Sequence, residues 1–254
     1  MIFRWLTERR RARLLETPFP EEWRTYLTDN VHAYRLLDET EQERLRDLVQ
    51  VFIAEKTWEG CNGLELDDEM RVTIAGCACL LILGRDHDLM SDVGSILVYP
   101  STVLLPDAPR GFFDGRPRIE GGSTEVLGLA HRGGPVVLAW DSVLAGAKNA
   151  ADGRNVVIHE MAHKIDFLDG SADGTPPLET PAERREWARI CSEVFLAVKE
   201  GEERFLRAYA GTNEAEFFAV TSEVFFEKPK QLQRELPELY GLLSAFYNLD
   251  LAAR

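Results

Sequence analysis

Polar and apolar positions follow a helical period over the first third of the chain, break into short runs in the middle, and return to a helical period at the end. Through residues 1 to 37, Phe3, Trp5, Phe19, Trp23, Tyr26 and Tyr34 are scattered among charges and interrupted by Pro18 and Pro20. That predicts two short helices on either side of the break. Thr40 followed by Glu43 fits a capping box, after which Leu45, Leu48, Val49, Phe52 and Ile53 recur at helical spacing. A further helix is expected from Asp67 to Leu83, its acidic first turn suiting the positive end of the dipole. The stretch Val72 to Leu83 is almost wholly apolar and is expected to be buried.

After Gly84 the texture changes. Ser95 to Pro100, Thr124 to Ala130 and Pro135 to Trp140 are short apolar or alternating runs bounded by Gly and Pro, the pattern of strands. Pro106 to Gly122, rich in Pro, Gly and Asp, reads as an exposed loop. From Asn155 the helical period resumes. Thr180-Pro-Ala-Glu183 is a capping box with proline at the first helical position, Asn213 opens another helix, and Pro229 and Pro237 punctuate the last two. No unit of roughly 20 to 50 residues repeats, which excludes solenoids and propellers. Helices, a small sheet and helices again make an α+β fold, mainly helical with a small mixed sheet.

Charge narrows the partners. The 254 residues carry 29 Lys and Arg against 43 Asp and Glu, a net charge of −14. No extended surface can then neutralise phosphates, so direct nucleic-acid binding and anionic membranes are excluded as general roles. The longest apolar run falls well short of the roughly 20 residues of a membrane helix. The cluster Arg9, Arg10, Arg11 and Arg13 is followed by no apolar segment and no small-residue cleavage site, which argues against a secretory signal and makes the cytoplasm the expected compartment. Cys61, Cys77, Cys79 and Cys191 lie mostly in apolar surroundings and read as small buried thiols.

The chemistry is concentrated in His159-Glu160-Met161-Ala162-His163, an H-E-x-x-H sequence inside an expected helix. Histidines four apart lie about 40° apart in azimuth and about 6 Å apart along the axis, so their imidazoles converge on one point. That is half of a tetrahedral zinc site, and one zinc per chain is expected. Glu160 points about 100° away, too far to ligate easily, but a long carboxylate can lean over the site and take a proton from the attacking water. The apolar neighbours Val156, Val157, Ile158, Ala162, Ile165 and Phe167 bury the motif.

A catalytic zinc site needs a third protein ligand. Asp166 stands where the extended three-histidine motif has Gly. Asp169 stands where a variant of that motif places a carboxylate, without the glycine that would turn the chain toward it. Downstream, Glu216 and Glu223 are seven apart on one stripe of a helix otherwise filled by Phe217, Val220, Val224 and Phe225. Buried carboxylates need a partner or a metal, so one of the two is expected on zinc and the other just behind it.

His159-Glu-Met-Ala-His-Lys-Ile-Asp166, Tyr209 and Glu214-Ala-Glu-Phe-Phe-Ala-Val-Thr-Ser-Glu-Val-Phe-Phe226 together resemble the Mlc titration factor A family. Ile96 to Pro100 and Gly134 to Trp140 agree more weakly. These are glucose-system regulatory metallopeptidases whose catalytic core is similar to that of anthrax lethal factor. The resemblance covers most of residues 90 to 230. It implies a zincin-like core of the gluzincin type over residues 86–254, with a helical N-terminal region, residues 1–85, packed on it. It further implies that His159, His163 and Glu216 bind zinc, that Glu160 is the general base, and that Tyr209 hydrogen-bonds the oxyanion. The implied activity is aminopeptidase-like hydrolysis of peptide or protein substrates, and the implied partner is a transcriptional repressor. Pro135 to Trp140 is open between an edge strand that holds extended substrate and plain core. The competing class is a non-catalytic protein that sequesters a repressor and carries a regulatory or structural zinc; such a protein has no use for Glu160.

Overall fold

The computed structural model describes residues 2–85, 90–101, 103–106, 123–126, 128–130 and 134–254. Among the described residues, ten α-helices accompany a small four-stranded sheet: α1 (Ile2–Leu15), α2 (Glu21–Asn30), α3 (Glu39–Glu55), α4 (Asp68–Leu80), α5 (Trp140–Lys148), α6 (Val156–Asp166), α7 (Pro181–Glu200), α8 (Glu214–Glu227), α9 (Pro229–Glu235) and α10 (Pro237–Tyr247). The strands are β1 (Thr57–Gly60), β2 (Ser95–Tyr99), β3 (Val103–Pro106), β4 (Ser123–Val126), β5 (Gly128–Ala130) and β6 (Val136–Ala139). β1, β2 and β6 run parallel, β5 closes the sheet antiparallel to β6, and β3 pairs with β4 in a separate antiparallel ribbon. The fold is α+β with a mixed sheet, as the sequence pattern indicates.

Helix starts follow side-chain chemistry. Thr180 and Glu183 form the expected capping box with Pro181 in the first turn, and α7 ends at Gly201 in the left-handed conformation. Asp67 caps α4 and Asn213 caps α8 through the backbone N–H three residues on. At α3 the box lies two residues earlier than expected: Asp38 accepts from Glu41 N and Glu41 accepts from Asp38 N. The helix takes the first box it meets after Leu37, leaving Thr40 inside its first turn. The helix expected to reach Leu83 ends at Leu80 and continues as a turn.

One strand expectation changes, and one open alternative resolves to core. The run Thr124 to Ala130 divides between β4 and β5, which belong to different sheets. Pro135 to Trp140 is interior: β6 lies between β2 and β5, and all four of its residues are buried. Cross-strand bonding on both sides leaves no free backbone edge there, and β5 is the edge instead. Residues 107–122 of the expected loop lie outside the described residues.

The core runs from Leu27 to Leu251 as one hydrophobic cluster. α4 is its apolar axis, packed by α2, α3, α5 and α6, with Val72 to Leu83 buried throughout as expected. Cys77 and Cys79 are fully buried free thiols, and burial pushes Cys77 up to about 12. α8 is buried from Ala215 to Glu227, packed by α6 along its length and tied to α7 and α10 by Trp187, Phe218 and Phe246. A helix buried on every side leaves its three acidic residues after Glu214 no water, so each needs a partner inside the protein.

Candidate metal centre

α6 and α8 lie side by side in opposite directions, and their polar residues meet at the interface. Asn155 caps α6 through Ile158 N, which places His159 and His163 one turn apart on the face turned to α8. His159 Nε2 and His163 Nε2 are 3.2 Å apart. Glu216 Oε2 stands 3.0 Å from the first and 3.6 Å from the second. All three side chains are buried. Bonds of about 2.0–2.2 Å in a tetrahedral zinc site put neighbouring ligand atoms about 3.3–3.6 Å apart, close to the observed triangle.

Glu223, one turn of α6 and two turns of α8 away from the His163 to Glu216 contact, supports the site from behind. It accepts from His159 Nδ1 at 2.6 Å, from Arg207 at 2.5 and 3.0 Å, and from Asn155 N at 2.9 Å. A carboxylate can only accept, so Nδ1 carries the proton and Nε2 turns toward His163 and Glu216. Burial works against a charged imidazole, yet Glu223 and Glu216 outweigh it and raise His159 to about 10. Burial likewise pushes Glu216 up, but His159 and His163 hold it well below the ordinary carboxylate range. Both shifts have one cause, the attraction between the imidazoles and the carboxylates packed against them. Two imidazoles and one carboxylate form a donor set suited to a divalent metal.

The site opens into a cleft of about 530 Å³, walled by α5 at Ser142, Ala145 and Gly146 and lined by His159, Glu160, Arg207 and Tyr209. Tyr209 lies in a short 3-10 turn, Ala208–Gly211, its ring 6.1 Å from that of His159 and under the Arg207 guanidinium at 5.7 Å. Glu160 is 2 % exposed. Burial at the foot of a cleft keeps a carboxylate where bulk water does not compete with a bound substrate.

The glucose-regulated metallo-peptidase M90 family matches this chain over residues 5–248. The chain belongs to that family. An uncharacterized protein of Synechocystis sp. is 32 % identical over 253 residues, covering 97 % of this chain and 90 % of that protein. Mlc titration factor A of Serratia proteamaculans is 33 % identical over 230 residues, covering 86 % and 84 % respectively. The protein of the same name from Yersinia pestis is 29 % identical over 236 residues, covering 89 % and 84 %. The chain is thus a member of a metallo-peptidase family with a His-His-Glu group able to hold a metal ion.

Within this metallo-peptidase, the sequence-derived candidates His159, Glu160, His163, Tyr209, Glu216 and Glu223 all gather at one place. Asp169 does not: it is exposed and accepts from Ser171 N and Oγ in a turn. Asp166 is buried and accepts from Gly174 N; burial raises it to about 7, with Asp173 and Asp169 adding to the effect. Gly174 sits at φ +74°, where a Cβ would come 2.2 Å from Glu214 O, so this loop packs on the first residue of α8. Arg207 and Glu227 are the members of the cluster that the sequence reading passes over. Glu227 carries a usable signal, since eleven residues from Glu216 is close to three whole turns and keeps it on the same stripe. Arg207 has none, being one arginine in a charged connecting segment.

Among the described residues, no helix is long and apolar enough to cross a membrane.

Proposed function

We propose that the protein is a zinc-dependent peptidase, aminopeptidase-like in its action, that works in the cytoplasm. The observation that carries the reading is the triangle of His159 Nε2, His163 Nε2 and Glu216 Oε2, with His159 oriented by Glu223. These three residues are the proposed ligands. When bound, zinc supplies Lewis acidity that polarises the scissile carbonyl and lowers the pKa of water.

Glu160, set beside this group and outside the ligand triangle, takes the proton from the attacking water and later passes it to the leaving amine. Tyr209 donates its hydroxyl proton in a hydrogen bond to the oxyanion, a contact that strengthens as charge develops. Arg207 braces both parts: it bonds Glu223 and lies over the Tyr209 ring. The cleft beside α5 holds the substrate residues next to the scissile bond.

Relatives that carry the name Mlc titration factor A support a second, regulatory contact with a transcriptional repressor. Both properties fit one chain, because the peptidase residues occupy a cleft and leave most of the surface available.

Elemental analysis of the purified protein and of His163→Ala, paired with hydrolysis of aminoacyl and internally quenched peptides, tests the reading. One zinc per chain in the native protein, its loss in the variant and the parallel loss of hydrolysis are expected. Equal metal in both proteins would overturn the ligand assignment.

A further inference from the structure

α6 and α8 meet in successive contacts. His163 faces Glu216, and one turn back along α6 His159 faces Glu223. One further turn back, Asn155 Nδ2 donates to Glu227 Oε1 at 2.8 Å. That last contact lies beyond the reach of a metal held by His159, His163 and Glu216, and nothing in the peptidase chemistry uses it. It is nevertheless a heavily bonded polar position in the interface. Asn155 is 1 % exposed and engages every polar atom it has. Its backbone N–H donates to Glu223, its backbone oxygen accepts from His159 N, its side-chain oxygen accepts from Ile158 N, and its amide reaches Glu227 and Cys77 Sγ.

A helix cap alone needs only the side-chain oxygen, which Ser, Thr or Asp supplies as well. Only Asn, among the residues that cap well, adds an amide donor pointing away from the helix. Asp has no donor, and Ser and Thr hold their hydroxyl one bond nearer the backbone. Here that second function spans to α8. Glu227 suits the receiving role, because it is buried and turns Oε1 to the amide.

We propose that Asn155 and Glu227 form a register clamp between α6 and α8 that holds the two histidines and Glu216 at metal-binding separations. The inference rests on the zinc reading above and assigns Asn155 as a positioning residue. Sliding one helix by a full turn displaces its side chains by about 5.4 Å, and an offset of even about 0.5 Å spoils a preorganised ligand set. The clamp sits one turn beyond His159 on α6 and one turn beyond Glu223 on α8, where it blocks such sliding without touching the metal.

The test reads zinc affinity by competition with a chromophoric chelator, and Tm of the zinc-free protein, on wild type and four variants. Asn155→Ser keeps the cap and removes the amide, while Glu227→Ala removes the acceptor and leaves the cap alone. Both are expected to fold and to bind zinc about 10 to 100-fold more weakly. At about pH 9, above the Glu227 value, Asn155→Asp sets two carboxylates face to face and is expected to weaken zinc similarly. Asn155→Asp with Glu227→Gln reverses donor and acceptor across the same gap and is expected to bind within a few-fold of wild type. A purely structural role would lower Tm and leave the zinc affinity of the folded protein unchanged. Wild-type affinity in folded Asn155→Ser and Glu227→Ala, or failure of the double variant to restore binding, overturns the clamp. A wild-type protein that binds no zinc overturns the peptidase reading instead.

Discussion

Glu223→Gln removes one charge and keeps the shape of the side chain, so its effect measures how far the site depends on a single buried carboxylate. The carboxylate receives four donors: His159 Nδ1, two Arg207 nitrogens and Asn155 N. Glutamine presents one oxygen, and turns an NH2 toward donors wherever its nitrogen falls. Hydrogen bonds to charged groups contribute about 1.5–3 kcal/mol each, and breaking a buried ion pair from one side costs about 3–5 kcal/mol. Arg207 is 25 % exposed and the shape is preserved, so the expected loss is at the low end, about 2–3 kcal/mol. In a chain of this size that lowers Tm by about 5–10 °C. Zinc affinity falls about 10 to 100-fold, because the proton on His159 Nδ1 loses the partner that fixes the ring.

The same variant carries a pH signature. Burial raises the Glu223 pKa, but His159 and Arg207 outweigh burial and hold it below its ordinary 4.5. Its stabilisation is therefore complete above that value and is lost as pH falls through the lowered folded pKa. Thermal melts of zinc-free protein should separate wild type from Glu223→Gln at pH 7 and bring them together in acid. Equal Tm at pH 7 with unchanged zinc affinity would refute the role given to Glu223.

Three further outcomes are expected. Tyr209→Phe keeps its zinc and loses about 10²-fold in kcat on a peptide substrate; unchanged turnover would make the ring a packing residue only. Glu227 has the opposite linkage to Glu223: its folded pKa of about 8 lies above the ordinary 4.5, so stability falls as pH rises across that window. Glu227→Gln keeps the bond from Asn155 and should flatten that part of the Tm against pH curve, worth on the order of a few kcal/mol. Gly174→Ala forces a Cβ toward Glu214 O at positive φ and should lower Tm by at least about 5 °C, read by the same melts.

Much of the site was legible because its chemistry is local. A spacing of four from His159 to His163, and of seven from Glu216 to Glu223, is helix geometry written directly in the sequence. Which glutamate stands near both Nε2 atoms was open from spacing alone, since both occupy one stripe; in the antiparallel packing of α6 on α8 it is Glu216, with Glu223 on His159 Nδ1. Long-range pairing was not legible. Thr57 to Gly60 is too short and polar to read as a strand, and becomes β1 because the edge of β2 offers it backbone bonds. β6 is interior because β5 turns back along its far side, a fact of topology and not of its own residues. Arg207 is hidden for the same reason: its partner Glu223 lies 16 residues on.

Glu160 bears the central claim, and one preparation of Glu160→Gln examined for both zinc and hydrolysis tests it most directly. Glu160 stands outside the ligand triangle, so the variant should retain one zinc per chain, the native fold and any repressor binding. Loss of the general base should lower peptide hydrolysis by about 10²- to 10⁴-fold. Hydrolysis at the wild-type rate in zinc-loaded Glu160→Gln would contradict the claim that this cleft is a peptidase centre.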